Sequence, residues 1–494
     1  MRAMPFPALR GLLFAGLLGA TPLAALAQAT PEEAARLQAV GETYLGRPAA
    51  GGAPIVRVVP EGDHYRASLD FGALVNRLAD LAPAEERKGF RLDWPALSLA
   101  LAPAGDGFWR FWDYRIPRLS LTVDGQTTEV VAEGPEFETV SDPATGVTRL
   151  MKGRFGRIAA TSKIEKPGET MTVSSENVST DVVLEGAATA TDKPGVVDAR
   201  VRQTTASMLY AVEIIGGGGG VPDMRIALEG GKQDQDVGIT GLRHAAILDL
   251  WAFLVAHPSR EQLAAAQSTL KAKIAAAVPL FDGVTQKVVG TGFSLESPFA
   301  VIKAGRAGLD IDLAGLVRDG RFAMALAVGD FEAYSLFLPK WAQKLMPKDL
   351  ALAGKVTGYD TATPISVFLD SVDIAADKPL TPEMEEKIAA LFLPQGAVEI
   401  TLDGNRIAGP LYDVTLDGRM TAGPGGAKGA VTVRAKGVDK VAEVLAAPGA
   451  DEQAKAMAAV LGLAKQYAER KGDEFVWAIA FDGDRASVNG KPLK

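Results

Sequence analysis

The sequence predicts an α+β protein, predominantly antiparallel β-sheet built from hairpins and meanders, with several packed helices. Three observations lead there. Much of the chain alternates apolar and polar residues, as in Val431, Val433 and Ala435 against Thr432, Arg434 and Lys436, and such alternation marks a strand with one buried and one wet face. Asp-Gly and Asn-Gly pairs, which tolerate the positive φ of a tight turn, recur between these runs. Helical stripes are few and localised, which argues against strict βα alternation and a parallel sheet.

The first residues carry Arg2 and Arg10, then an apolar stretch from Gly11 to Leu26 broken by Thr21 and Pro22, ending in Ala25-Leu26-Ala27. This is the pattern of a secretory signal peptide cleaved after about Ala27. The run is too short and broken for a permanent span, which takes roughly 20 apolar residues. The expectation is an exported, periplasmic protein with no transmembrane span in the mature chain. Thr30-Pro31-Glu32-Glu33 then has the form of a capping box with proline at the first helical position, so a helix follows.

The chain has no cysteine, so its stability rests on core burial rather than disulfides. Lys and Arg number 52 against 60 Asp and Glu, and without Arg2 and Arg10 the balance is 50 against 60. Bulk charge therefore disfavours a nucleic-acid partner or an anionic-lipid role, while leaving a local basic patch open.

Thr-(Val or Leu)-Asp-Gly occurs at Thr122 to Gly125, Thr401 to Gly404 and Thr415 to Gly418, with Asp-Gly again at Asp319-Gly320 and Asp482-Gly483. Each is a hairpin candidate, and the two copies fourteen residues apart suggest a meander. Helices are expected from Glu261 to Val278, capped by Ser259, and from Thr381-Pro382, with Met384, Ile388 and Leu391 on one face. A third is expected from Asp451 to about Lys471, with Met457, Leu461, Ala464 and Ala468 in line. Each is expected to pack on a sheet. The stretch from Ala245 to Ala256 has eleven apolar residues of twelve, which reads as a helix either buried centrally or facing an apolar ligand. A composition break near Phe281 to Gly292 divides the chain. The reading is a β-rich domain over 28–240, a helical segment over 241–285 and an α+β domain over 286–494, after the signal peptide at 1–27.

The familiar chemical motifs fail on context. Gly216 to Gly220 is followed by an extended-looking Val221-Pro222-Asp223 rather than a helix, so it is not a phosphate loop. Ser294 lacks the closing glycine of a nucleophile elbow, and Ser268 to Lys271 lacks its partner motifs. His64, His244 and His257 are scattered, without metal-ligand spacing, and His257 instead suits the end of the apolar helix. The pairs Asp234/Asp236, Asp310/Asp312 and Asp482/Asp484 read as solvated turn residues rather than calcium ligands. No catalytic residue, metal site or cofactor is expected. An outer-membrane barrel also fits poorly, because tyrosine is scarce at eight and helices have no place in its wall.

One concentrated feature remains, Phe108-Trp109-Arg110-Phe111-Trp112-Asp113-Tyr114-Arg115, with two of the six tryptophans. A regular strand here puts Phe108, Trp112 and Tyr114 on one face and Trp109 and Phe111 on the other. That suits a core strand covered on both sides, or one beside a cavity or membrane surface. Trp109, Phe111 and Trp112 are accordingly the candidate ligand-binding residues.

The run Phe475-Val476-Trp477-Ala478-Ile479-Ala480-Phe481-Asp482-Gly483, followed by Val488-Asn489-Gly490-Lys491-Pro492-Leu493, is a strand, a turn and a short strand closed by Asn-Gly. With the signal peptide and the hairpin-and-helix body, it resembles exported bacterial proteins of the domain of unknown function 2125 family. That resemblance implies a Gram-negative envelope location and a β-rich fold, and it carries over no functional residue. Taken together, the sequence points to a non-enzymatic periplasmic protein that binds hydrophobic or lipid material. A module that binds envelope proteins through its sheet edges, and a hydrolase with dispersed catalytic residues, remain as alternatives.

Overall fold

A computed structural model describes residues 28–47, 54–79, 90–165, 172–215, 223–374, 376, 380–447 and 451–493. The signal segment and the glycine run at Gly216 to Gly220 lie outside these residues. The fold is α+β and predominantly antiparallel, and every described strand register is antiparallel. Contacts divide the chain into two units. The first comprises 1–223, 236–283 and 366–384, and the second 224–235, 284–365 and 385–494, so the main division falls between Gly283 and Val284.

The first unit opens with α1 (Pro31–Leu45), capped as the sequence predicts: the Glu33 amide donates to Thr30 Oγ1 at 3.2 Å. Then come β1 (Val56–Glu61), β2 (His64–Leu69), α2 (Phe71–Ala79), β3 (Arg91–Asp93), β4 (Leu97–Gly105), β5 (Phe108–Arg115), β6 (Leu119–Val123), β7 (Gln126–Glu133) and β8 (Glu136–Asp142). Two 19-residue strands follow, β9 (Val147–Glu165) and β10 (Thr172–Ala190), then β11 (Val197–Thr205) and β12 (Ser207–Ile215). The long β9–β10 pair is shared by two strand sets. One half pairs outward to β7 and β12, the other to β8 and β11. The main core lies on β1, β2, β4 and β5, where Val56, Leu69, Leu99, Leu101, Trp109 and Phe111 meet Leu37 and Leu45 of α1.

The chain continues through β13 (Met224–Gly230) and β14 (Gln233–Leu242) to α3 (His244–Ala256), α4 (Arg260–Ala265) and α5 (Gln267–Ala277). The apolar helix is an ordinary packed one. It lies against α1 and α5 and buries Leu248, Phe253 and Val255, and the indole N–H of Trp251 donates to the Tyr44 carbonyl at 2.8 Å. Its single charge, Asp249, accepts from Lys273 of α5 at 2.6 Å. The helix expected from Glu261 to Val278 is instead two, broken at Ala266 (φ −107°, ψ 21°). No glycine or proline marks that break. It accompanies the packing of α5 on α3 through Leu270 and Lys273, so this helix covers a helix rather than a sheet.

The second unit contains β15 (Gly283–Glu296), β16 (Ala300–Ala314), β17 (Gly320–Ser335), α6 (Lys340–Lys344) and β18 (Asp349–Tyr359). After α7 (Ala362–Ser371) and α8 (Pro382–Leu391), the meander resumes with β19 (Val398–Ala408), β20 (Asp413–Gly423) and β21 (Gly426–Lys436). It closes with α9 (Val438–Leu445), α10 (Glu452–Tyr467), β22 (Glu469–Lys471), β23 (Glu474–Gly483), β24 (Arg485–Val488) and β25 (Lys491–Pro492). The expected helix to Lys471 stops at Tyr467, because Glu469 to Lys471 pair back onto β23 through a two-residue Gly-Asp turn with Gly472 at φ 67°. Its stripe is also shorter than expected. Leu461 and Ala468 pack on Phe475 and Trp477, whereas Met457 is exposed.

The turn pairs divide by context. Asp124-Gly125 and Asn489-Gly490 both have positive φ and close the β6–β7 and β24–β25 hairpins. Asp417-Gly418 lies inside β20, where a Cβ on Gly418 would come within 2.7 Å of the Ala430 carbonyl oxygen. At Asp482-Gly483 the two turn residues are Gly483-Asp484 instead. Asp403-Gly404 is a β-bulge: β19 gains one residue relative to both neighbours between Leu402 and Asn405, with Gly404 at φ 71°. A bulge uses the same positive φ as a hairpin turn, so local sequence does not separate the two.

Asn405 repairs the ladder that this bulge interrupts. Its Oδ1 accepts from the Ala353 amide at 2.8 Å and its Nδ2 donates to the Ala353 carbonyl at 2.9 Å. The side chain is 7% exposed, so Asn405→Ala strands two poorly hydrated backbone groups. We expect a loss of about 1–3 kcal/mol, measured as a lower denaturant midpoint, with Asn405→Asp no better because a carboxylate cannot donate to the Ala353 carbonyl.

Candidate functional site

The aromatic strand β5 divides its three candidate residues between the core and the surface. Trp109 and Phe111 are 4% and 3% exposed, inside the main core. Tyr114 joins them on the same face, against Phe137 with ring centroids 5.0 Å apart, and burial pushes its hydroxyl up to about 12. The expected alternation put Tyr114 on the opposite face. The difference comes from Asp113, whose φ of 49° coincides with a register shift against β4 and inverts the parity. Trp112 is left on the outer face, half-buried, with the Arg110 guanidinium 4.8 Å from its ring and His64 at 5.5 Å.

The histidines have separate surroundings. His64 meets Asp63 at 3.0 Å, and His257 sets Nδ1 2.8 Å from the Phe253 carbonyl at the end of α3. His244 is half-buried beside Gly146, where a Cβ would fall 2.5 Å from its ring, and its buried Nδ1 has no partner among the described residues. Five of the six carboxylates in the three pairs have a described cationic partner. Asp236 accepts from Arg200 at 2.5 Å, Asp234 meets Lys232 at 2.9 Å and Asp312 meets Arg321 at 2.9 Å, while Asp310 and Asp482 have lysines at 4.0 Å.

The residues that stand out lie in the second unit. Paired side chains in an antiparallel sheet share a face, so the registers sort the whole meander. On one face Leu309, Ile311 and Leu313 of β16 sit opposite Leu326, Met324 and Phe322 of β17. Leu326 and Val328 then sit opposite Leu352 and Leu350 of β18, and Leu350 opposite Ile407 of β19. The run continues through Val414, Leu416 and Met420 to Val431, Val433 and Ala435, and ends on Phe475, Trp477 and Ile479.

Among the described residues of the second unit, this face joins a buried core at one end. Over β21 and β23, Leu461 and Ala468 close on Ala435, Phe475 and Trp477, and the Trp477 indole donates to the Ala464 carbonyl at 2.8 Å. Over β15, β16, β17 and β18 no described apolar side chain is in the buried core. Met324, Leu352 and Ile407 are 46%, 43% and 37% exposed. A contiguous apolar face left open on this scale marks a binding surface more often than a structural one.

The opposite face of the same strands is chemically different. Gly308, Ala325, Ala327, Ala351 and Ala353 floor a groove of about 590 Å³. The charges at its rim satisfy one another or neighbouring side chains: Arg306 with Asp349 at 3.4 Å, Lys287 with Asp310 at 4.0 Å and Arg406 with Asp413 at 2.6 Å. Among protein families, curated proteins and solved structures, none matches this chain.

Sequence reasoning singled out β5 because its aromatics are concentrated, and it passed over β16 to β18 because their alternation is that of any half-buried strand. The signal that was present is that both intervening connections are too short to supply a covering layer, apart from the five-residue α6.

His244 provides a pH test of the first unit. Burial pushes its pKa below the ordinary 6.5, against an opposing pull from Asp142. The native state therefore binds fewer protons than the unfolded state just below pH 6.5, and stability is lost as pH falls through that value toward the native pKa. We expect wild type to lose melting temperature on acidification faster than His244→Gln, and the difference between them to be constant above about pH 7.5.

Proposed function

We propose that this protein binds the hydrocarbon part of lipids or similar apolar molecules along the open face of β16, β17 and β18, without chemical transformation. The observation that supports the reading is the uncovered apolar face itself, in a sheet whose other end has its own helical cover. Burial of hydrocarbon contributes about 0.8 kcal/mol per CH₂. A chain of about sixteen carbons buried along most of its length contributes roughly 12 kcal/mol, which is set against an association cost of roughly 4–15 kcal/mol. Binding would be tolerant of chain identity, because aliphatic side chains on a sheet supply area rather than directional contacts.

The proposed setting is the bacterial envelope, specifically the periplasm. The reading of residues 1–27 as a signal peptide and the resemblance of the terminal hairpin support it. A periplasmic protein with an open apolar face would have hydrophobic cargo within reach and would shield that cargo from water in transit.

Mass spectrometry of an organic extract of the protein, purified from its native compartment without detergent, tests this directly. Lipid near one equivalent is expected, with Leu326→Glu/Leu352→Glu depleted of it, since a carboxylate held against hydrocarbon costs several kcal/mol. Titration with a fluorescent fatty acid should show affinity lowered by about 100-fold or more in the double variant, while Trp112→Ala leaves it unchanged. A clean extract together with no fatty-acid binding by wild type contradicts the proposal.

A further inference from the structure

The most exposed large apolar side chains of the described residues are not on the sheet face but at one end of it. Leu336 and Phe337 are 81% and 76% exposed, in the connection that follows β17. Tyr334, at 61%, precedes them, and Phe299, in the turn between β15 and β16, lies beside them with its ring 5.9 Å from that of Phe337. These two adjacent turns form one apolar tip.

The tip is held out by its backbone rather than left to collapse. The Leu336 amide donates to the Phe299 carbonyl at 3.2 Å, and the Phe337 amide donates to Ser335 Oγ at 3.2 Å. Behind it α6 is anchored at both ends. The Trp341 indole donates to Asp451 Oδ2 at 3.0 Å, and Tyr412 Oη donates to the Leu345 carbonyl at 2.9 Å. Two side chains of this size held in water at no structural benefit call for a partner.

Charge indicates what that partner is. From Ala333 to Lys348 the chain has Lys340, Lys344 and Lys348 and no Asp or Glu, although the whole protein carries a net charge of −8. Lys348 meets Glu332 at 2.9 Å, whereas no ion pair is described for the exposed Lys340 or Lys344. Lysines are depleted from the centres of protein interfaces. They are favoured at the lipid headgroup level, where Trp and Tyr also collect and where protruding Leu and Phe reach the acyl region.

We propose that this tip is a membrane-docking device: Leu336 and Phe337, with Phe299 and Tyr334, enter the surface of an anionic bilayer while Lys340 and Lys344 pair with its headgroup phosphates. The inference does not rest on lipid carriage by the sheet face, because docking needs only the tip. Few inserted side chains and two lysines without a described ion pair make the association reversible and sensitive to salt, since each cation near the surface contributes modestly and is screened within a Debye length.

Flotation of the purified protein with vesicles tests it, using phosphatidylcholine alone and phosphatidylcholine mixed with phosphatidylglycerol. Binding to the mixed vesicles is expected at low salt. Leu336→Ser/Phe337→Ser should weaken it about 100-fold, because two large apolar side chains no longer leave water. Lys340→Gln/Lys344→Gln should weaken it about tenfold on mixed vesicles and leave binding to pure phosphatidylcholine unchanged. All four positions are exposed, so unaltered thermal unfolding serves as the folding control. Equal flotation of wild type and the double serine variant overturns the proposal. Absence of flotation on either vesicle also overturns it. Flotation that ignores both phosphatidylglycerol and the lysine substitutions overturns the choice of an anionic surface.

Discussion

The sidedness of the second unit depends on one bulge and the amide that closes it. Side chains alternate along a strand, so a single extra residue exchanges the two faces beyond it. In β19 the residues on the apolar face are Ile400 and Leu402 before the bulge and Asn405 and Ile407 after it. Without the extra residue Ile407 would turn toward the charged face and Arg406 toward Leu350 and Val414. Asn405 makes the arrangement tolerable by presenting its side-chain amide to Ala353 as another strand would present its backbone. The bulge is held on its other side too, where the Gly404 amide donates to Asp417 Oδ1 at 3.0 Å.

Given one apolar face, connectivity decides where it is covered. The strands from β15 to β18 follow one another through short turns, and the longest break among them contains only α6. Among the described residues α6 is the one helix within these connections, and the longer α7 and α8 come only after β18. Between β21 and β23 the chain inserts α9 and α10, and this is the stretch whose Leu461 and Ala468 complete a core with Phe475 and Trp477. The first unit shows the complete solution, with α1 closing over β1 and β4 and α3 closing over α1. One chain thus contains the same strand chemistry with and without a described cover, and the part without one is where we propose binding.

Much of this was legible in the sequence. Period-two alternation gave the strands, Thr30, Ser259 and Asp451 marked true helix starts, and Asp124-Gly125 marked a true hairpin. The failures share a cause. Asp403-Gly404, Asp113 and Ala266 are decided by what the neighbouring strand or helix does, and local residues do not report that. The aromatic strand drew attention by composition, yet Trp109 and Phe111 are core because α1 and its neighbours lie over them. Leu326 and Leu352 drew none, because nothing in a residue's own neighbours along the chain says whether a layer will cover it. The tip was the most readable feature missed: Leu336, Phe337 and Leu338 in succession between Ser335 and Pro339 have no alternation and no helical spacing that would bury them.

The most direct measurement of the central claim is photo-crosslinking with a fatty acid that carries a diazirine in its chain, followed by peptide mapping. Labels are expected on the peptides containing Leu309, Ile311, Met324, Leu326, Val328, Leu350 and Leu352. Labels concentrated on β5, or scattered without preference over both units, would contradict the assignment of this sheet face as the binding surface.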